Sequence, residues 1–215
     1  MAQTRLSLGF FSKPLKPHVV LDSSSIYNLI ALKNAEEELE QTMRIADCVL
    51  QNDVKSIQDI LNEVIAHSTA LYDYQPRDLH TVTTWAQQKR DHDWPLRGAY
   101  DQDGRLMGFA TFGPFRPQPA YKYTVEHSVY IDQAHRGKGI AAALLQDLID
   151  EASNRDRHVM IGCIDDANTA SIRLHEKLGF APCGTIVEAA FKFGRWLDAT
   201  FYQKRLSTPA HPVDG

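Results

Sequence analysis

Apolar and polar residues follow two patterns along the chain, one typical of strands and one typical of helices. The run RIADCVL predicts a strand, and NDVKSIQDILNEVIAHS then carries apolar residues every three to four positions, as an amphipathic helix does. We expect Asn52 or Asp53 to cap that helix. A break rich in Ser, Tyr and Pro precedes a second helical stripe through Val82 and Ala86. From RIADCVL onward, the pattern therefore predicts strand, helix, helix.

A pair of strands joined by a tight turn is predicted next, because WPLRGAY and RLMGFATFG flank the turn sequence DQDG. A further strand covers residues 124–131, a helical stripe covers residues 139–154, and HVMIGCI has the apolar run of a buried strand. Asn168 begins a last helix that Gly179 ends, and TIVEAAF and LDATFYQKRL form a final strand pair. The pattern predicts an α/β fold whose strands first pair in a meander and are then linked through helices.

The stretch TVEHSVYIDQAHRGKGIAA combines a carboxylate with a glycine turn. Glu126 interrupts a β-forming run, and Gly137 and Gly139 open the following helix beside Arg136 and Lys138. The first N–H groups of a helix have no intrahelical acceptor, so such a turn is typical of a pyrophosphate site. A plain tight turn with solvated cations is the alternative. A dinucleotide fingerprint of the G-x-G-x-x-A kind fits poorly, because DQAHR separates the strand from the turn.

Composition and charge exclude several classes of partner. With 215 residues, 43% of them hydrophobic and 23% charged, the chain is long enough for one well-filled core. Its net charge of -4 predicts no nucleic-acid partner, and no segment approaches the roughly 18 apolar residues of a membrane span. Cys48, Cys163 and Cys183 are widely spaced, which predicts reduced thiols in a cytoplasmic protein and neither disulfides nor a metal site.

Several spaced motifs resemble the GNAT-type N-acetyltransferases. QAHRGKGIA is similar to their pyrophosphate loop, and NTASIRLHEKLGF is similar to their Asn-capped helix and closing LGF signature. PFRPQPAYKYTVEHSVYI, SIRLHEKLGF and FKFGRWLD resemble the phosphinothricin and methionine sulfoximine N-acetyltransferase branch in particular. The resemblance implies the GNAT fold, a mixed and mostly antiparallel central sheet that is splayed between two central strands and flanked by helices.

The resemblance extends from about Met43 to Leu206 and divides the chain into three parts. We assign residues 43–206 to a GNAT acetyltransferase domain. Residues 1–42, which contain LGFFSKPLKPHVVL and no clear period, form an N-terminal extension whose order the sequence leaves undecided. Residues 207–215 are expected to be a loose C-terminal tail.

Acetyl-CoA is the co-substrate that the resemblance implies, with no metal. Its pantetheine would bond to the backbone of one central strand and to Asn168, and its pyrophosphate would accept hydrogen bonds from the N–H groups of the glycine turn. The cofactor-binding residues implied in this way are Val129, Tyr130, Ile131, Arg136, Gly137, Lys138, Gly139, Ile140, Ala141, Ala142 and Asn168.

Glu126 and His175 are the catalytic residues that the resemblance implies. The acceptor amine is protonated at neutral pH, and only its neutral form attacks the thioester, so a partly desolvated Glu126 could take that proton. The alternative is a strand glutamate in a salt bridge, for example with Lys122. His175 would either reprotonate the departing thiolate or contact the acidic head group of the substrate, and a buried structural histidine is its alternative.

The acceptor pocket is expected to draw on five residues, which are Tyr72, Arg116, Pro119, Ala120 and Tyr121. Arg116 is the candidate for a bidentate bond to the substrate carboxylate. The relatives carry an arginine at the position of Gln118, so Arg116, Lys192 or Arg195 would supply the positive charge here.

The function expected from the sequence is acetyl-CoA-dependent N-acetylation of the α-amino group of a small amino-acid analogue. Transfer would be direct, because no cysteine lies in the glycine-turn or Glu126 segments. Acetylation of a protein or peptide amine, or a non-catalytic acyl-CoA-binding module, are the alternatives. The branch also implies a homodimer, for which a hairpin over residues 191–198 with Phe193 and Trp196 would suit the interface.

Overall fold

The structure, a computed structural model, describes residues 43–214, so the predicted extension over residues 1–42 lies outside the described residues. In the described part, seven strands form one sheet in the order β1-β2-β3-β4-β5-β7-β6. The strands are β1 (Arg44–Asp47), β2 (Leu96–Tyr100), β3 (Leu106–Pro114), β4 (Thr124–Ile131), β5 (Val159–Asp165), β6 (Ala181–Lys192) and β7 (Arg195–Arg205). The helices are α1 (Leu50–His67), α2 (Leu79–Asp91), α3 (Ile140–Asn154) and α4 (Thr169–Lys177), and short 3₁₀ turns cover Pro119–Tyr121 and Gln133–His135.

The sheet opens between its two central strands. Neighbouring strands are antiparallel except β4 and β5, which run parallel and pair only where Thr124–Glu126 meets residues 159–161. Beyond Glu126, β4 stays bonded to β3 and β5 stays bonded to β7, but the two central strands no longer bond to each other. The predicted mixed, mostly antiparallel sheet that splays between two central strands is therefore confirmed.

Two apolar cores cover the two faces of the sheet. The helices α1 and α2 pack with Phe109 and Tyr130 on one face, whereas α3 packs with Phe112 and Val125 on the other. Because side chains alternate along a strand, consecutive residues of β4 point to opposite faces. None of the helices described here combines the length and the hydropathy that a membrane span requires.

The boundaries of three helices differ in how well local sequence predicted them. Gly139, with φ 83°, precedes α3, and the Asn168 side chain accepts from Ser171 N at 3.1 Å to cap α4, both as predicted. The predicted cap of α1 at Asn52 or Asp53 is wrong, because the helix begins at Leu50. Asp53 lies inside the first turn, where its carboxylate accepts hydrogen bonds from the N–H of Val49, just before the helix, and from the hydroxyl of the distant Tyr100.

The tail after β7 is held against the domain rather than loose. Thr208 Oγ1 donates to the Arg157 carbonyl oxygen at 2.6 Å, and Val213 N donates to the Tyr123 hydroxyl at 3.2 Å. Both partners, Arg157 and Tyr123, lie just before the two central strands β5 and β4. The assignment of residues 43–206 to one domain stays a prediction.

Candidate active site

A cavity of about 540 Å³ occupies the gap between β4 and β5. Ten of the eleven predicted cofactor residues line it, namely Val129, Tyr130, Ile131, Arg136, Gly137, Gly139, Ile140, Ala141, Ala142 and Asn168. Lys138 is exposed and lies outside the lining. Because β4 and β5 do not bond to each other along this gap, it exposes strand backbone to whatever fills it.

The glycine turn presents free donors to the cavity. In the described part of the chain, the N–H groups from Gly137 to Ala141 have no acceptor, and the first bonded N–H of α3 belongs to Ala142, which donates to Gly139 O at 3.0 Å. Gly137 and Gly139 have φ values of 77° and 83°, which an L side chain rarely adopts. Free N–H groups at a helix start are suited to an anion such as a pyrophosphate.

The polar side chains of the cleft are already partly engaged. Arg136 forms an ion pair with Glu63 and donates from Nε to the Ile131 carbonyl oxygen at 3.2 Å, so its charge is shared with α1. Asn168 uses Oδ1 to cap α4, which leaves its amide NH₂ as the group that can donate into the cavity.

Glu126 lies at the margin of the cavity rather than in its lining. It faces the same side of the sheet as its β3 partner Gly113, which has no side chain to cover it. Burial raises the pKa of Glu126 above its ordinary value, and the guanidinium of Arg116 opposes that shift. A raised pKa is what a carboxylate needs in order to accept a proton from an ammonium group near neutral pH.

The predicted acceptor residues lie outside the cavity lining. Burial raises the pKa of the Tyr72 phenol, and the nearby Cys163 and Asp165 raise it further, which places Tyr72 beside β5. Tyr121 stacks edge-on against Phe115 with ring centroids 5.7 Å apart. Pro119 and Ala120 are exposed in the adjoining 3₁₀ turn.

Of the three cations considered for the acceptor carboxylate, two are bound by the protein. Lys192 is buried and donates to the carbonyl oxygens of Ser68 and Leu71 at 2.8 and 2.5 Å. Arg195 forms an ion pair with the buried Asp165 at 2.6 Å. Arg116 donates only to the carbonyl oxygen of its neighbour Phe115 among the described residues, so most of its five N–H donors are available.

The Acetyltransferase (GNAT) family model matches residues 57–180, which is more than half of the chain. The chain belongs to the GNAT family of acetyltransferases. It is 39% identical over 171 residues to the L-methionine sulfoximine/L-methionine sulfone acetyltransferase of Salmonella typhimurium, an alignment that covers 80% of this chain and 98% of that protein.

Two solved structures extend the comparison of this GNAT enzyme. One from Acinetobacter baylyi ADP1, assigned only provisionally as an acetyltransferase, is 51% identical with a TM-score of 0.79 over 80% of this chain and 97% of that one. The phosphinothricin acetyltransferase of Sinorhizobium meliloti in complex with acetyl-CoA is 33% identical. Its TM-score is 0.76 over 80% of this chain and 92% of that one. The predicted family and branch resemblance are confirmed, and the chain is an N-acetyltransferase.

Among the residues of this GNAT site that sequence reasoning missed, Cys163 and His127 bear on its chemistry. Cys163 was set aside because it is distant in sequence, yet it lines the cavity and its thiol lies close to the Glu126 carboxylate. Burial and that carboxylate raise the pKa of Cys163 to about 11, so the thiol stays protonated and is a weak nucleophile. His127 also lines the cavity, on the opposite face of β4 from Glu126, and it contacts His175. The position of His127 next to Glu126 was the only signal in the sequence.

No group of three or more His, Cys, Asp and Glu side chains is arranged to hold a metal ion within residues 43–214. Of the described cysteines, Cys48, Cys163 and Cys183 are all free.

Proposed function

We propose that this GNAT enzyme transfers the acetyl group of acetyl-CoA directly to the α-amino group of a small amino-acid analogue, of the methionine sulfone, methionine sulfoximine or phosphinothricin type. The observation that carries the proposal is the open gap between β4 and β5, with free amides at one end and Glu126 at the other. The names of the Salmonella and Sinorhizobium relatives support the acceptor class and the co-substrate.

In this proposal the cofactor occupies the cavity in an extended form. Its pyrophosphate accepts hydrogen bonds from the free N–H groups of Gly137 to Ala141, and Arg136 and Lys138 add positive charge near it. Its pantetheine bonds to the unpaired backbone over residues 129–131 and to the amide of Asn168. The thioester then reaches the narrow end of the gap, where the central strands begin to pair and Glu126 stands at the margin.

Glu126 acts as the general base in the proposed reaction. Burial raises the pKa of Glu126, which makes its carboxylate a better proton acceptor, and the guanidinium of Arg116 opposes that shift. The carboxylate takes one proton from the acceptor ammonium group. The neutral amine then attacks the thioester carbon, and the carbon–sulfur bond breaks so that CoA leaves as its thiolate. The nitrogen loses its second proton to give the neutral amide, and one proton is taken up by the thiolate, so that the products are the acetylated amine and CoA. The protonated Cys163 supports direct transfer, because an acetyl-enzyme would require its thiolate.

The acceptor binds on the Glu126 face of the sheet. Arg116 is the cation with free donors there, so we assign the substrate carboxylate to it, and Tyr72 and Tyr121 with Pro119 and Ala120 form the walls. His175 lines the cleft on the opposite face of the sheet, which supports a contact with the reactive end of the cofactor rather than with the head group of the acceptor.

A CoA-release screen tests the proposal. The purified enzyme and acetyl-CoA are incubated with proteinogenic amino acids, methionine sulfone, methionine sulfoximine, phosphinothricin and several peptides, and free thiol is measured. We expect release with one of the small analogues and little with peptides. Release with peptides alone would show that the acceptor is a peptide amine rather than a small analogue. Binding of acetyl-CoA without any release of CoA would favour the non-catalytic acyl-CoA-binding module.

The Glu126→Gln variant tests the assignment of the base. We expect turnover to fall by about two orders of magnitude or more, with acetyl-CoA binding nearly unchanged, because the amide has the same shape and cannot take the proton. Glu176→Gln, at an exposed position of α4, is the control for losing one carboxylate. Unchanged turnover in Glu126→Gln between pH 6 and pH 9 would remove Glu126 from the mechanism.

A homodimer is proposed for the β6–β7 hairpin. β6 is the edge strand of the sheet, and its side chains and the hairpin tip are largely exposed, including Ile186, Val187, Phe191, Phe193 and Trp196. An apolar patch of this kind is typical of an interface. Light scattering after size exclusion should give twice the chain mass, and Trp196→Glu should reduce the measured mass toward that of the monomer.

The free thiols of Cys48, Cys163 and Cys183 support the predicted cytoplasmic location.

A further inference from the structure

Two histidines meet in the cofactor cleft where β4, β5 and α4 come together. Nε2 of His127 lies 3.1 Å from Nε2 of His175, and the ring planes are 23° apart. Both side chains are more than nine-tenths buried, with relative exposures of 6% and 4%. At this distance one Nε2 must carry a hydrogen and the other must accept it.

The second nitrogen of His175 decides which ring is the acceptor. Nδ1 of His175 lies 2.7 Å from the carbonyl oxygen of Ser171, and a carbonyl oxygen only accepts. Nδ1 of His175 must therefore carry its hydrogen. In the neutral ring of His175, Nε2 then carries no hydrogen, so it accepts a hydrogen bond from Nε2–H of His127.

The second nitrogen of His127 gives the same answer independently. Nδ1 of His127 is buried and has no hydrogen-bond partner in the described part of the chain. An unpaired lone pair in the interior costs less than an unpaired N–H donor. His127 is therefore expected to carry its hydrogen on Nε2, which is the tautomer that His175 requires.

The surroundings keep this pair uncharged. Phe180 packs edge-on against both rings. On β5, a Cβ at Gly162 would lie 2.9 Å from each Nε2, so the two rings fit only because this residue is glycine. The titratable group packed against the pair from β7 is Tyr202, whose ring lies 6.2 Å from that of His175. Within the described residues, no carboxylate or ammonium group hydrogen-bonds to either imidazole. Burial lowers the pKa of both histidines.

We propose that His127 is a positioning residue that holds His175 as the neutral Nδ1–H tautomer, so that neither imidazole supplies the proton for the departing thiolate. Both nitrogens of His175 are occupied by protein partners, and its ring presents a fixed wall to the cofactor. This inference rests on the proposed function for its catalytic meaning, whereas the tautomers themselves do not depend on it.

The tautomers can be measured by ¹⁵N NMR of the imidazole rings in the full-length enzyme at pH 8. We expect His175 to carry hydrogen on Nδ1 and His127 to carry it on Nε2. In His127→Phe, Nε2 of His175 loses its donor, and its ¹⁵N resonance should shift toward that of a free lone pair. His127→Gln, whose amide can reach the same point, should restore most of the resonance. Hydrogen on Nε2 of His175 in the wild type would overturn the proposal.

Kinetics provide the second readout. His127→Phe should lower turnover about tenfold, His127→Gln should recover at least half of the loss, and neither should introduce or shift an alkaline limb of turnover against pH. An alkaline limb that is present in the wild type and vanishes in His175→Gln would identify His175 as the acid and overturn the proposal. If no amine supports CoA release, the proposed function fails, and the NMR result still decides the tautomers. If His127→Phe does not fold, the proposal is tested by the tautomers of the wild type and by the ¹⁵N resonance of His175 in His127→Gln.

Discussion

The buried histidine pair makes the stability of the enzyme depend on pH in a calculable way. Burial and the adjacent His175 lower the pKa of His127 from 6.5 to about 3. A histidine whose pKa is lower in the folded state than in the unfolded state makes its full contribution to the stability of the fold when the pH is above the unfolded pKa. That contribution is lost as the pH falls from 6.5 toward the folded pKa. At pH 5 the unfolded chain has bound this proton, whereas the folded chain has not.

The magnitude follows from proton linkage. Each pH unit below the unfolded pKa costs about 1.4 kcal/mol for one proton, so His127 alone should lower the free energy of unfolding by about 2 kcal/mol between pH 7 and pH 5. Any folded pKa well below pH 5 gives nearly the same loss, because the unfolded chain then binds the proton alone. His175 contributes in the same direction, since burial lowers its pKa too.

The assay is urea unfolding of the wild type and His127→Gln at pH 7, pH 6 and pH 5, followed by circular dichroism. Glutamine has no proton to gain in this range, so the stability difference between the two proteins should shrink by about 2 kcal/mol from pH 7 to pH 5. His80→Gln, at an exposed position of α2, controls for the loss of a surface histidine. Parallel stability curves for the wild type and His127→Gln would show that His127 is not held neutral by the fold.

Two further predictions concern the cleft. Gly137 and Gly104 both have φ 77°, and a Cβ at either position would meet nothing within 4 Å. Changing either glycine to Ala should lower the free energy of unfolding by about 1 kcal/mol, because an L side chain is strained at this positive φ. Calorimetry should show acetyl-CoA binding weakened about tenfold in Gly137→Ala alone, and equal binding by both variants would argue against the pyrophosphate site. Cys163→Ala should keep turnover within about twofold, and intact mass spectrometry should detect no acetyl-enzyme, because the thiol is protonated. An acetylated Cys163 would contradict direct transfer.

Features that depend on neighbouring residues were predictable from the sequence. Apolar periodicity and turn residues placed the strands and helices, because helices and hairpins are made by contacts a few residues apart. The glycine turn could be recognised for the same reason, since Gly137, Gly139 and the first turn of α3 are contiguous. The motifs that resemble the family could be recognised because each of them is contiguous in the sequence.

The contacts that bring distant side chains together were decided only by the tertiary structure. Asp53 was displaced from the predicted cap because it bonds to Tyr100, which is 47 residues away in the sequence. Cys163 and His127 enter the site because the parallel pairing of β4 and β5 ends after three residues and opens one cleft. Lys192 lost its candidate role because carbonyl oxygens of the loop after α1 bind it. A residue type and its local spacing do not specify such partners, because only the packing of the sheet and helices determines which distant groups share a buried position.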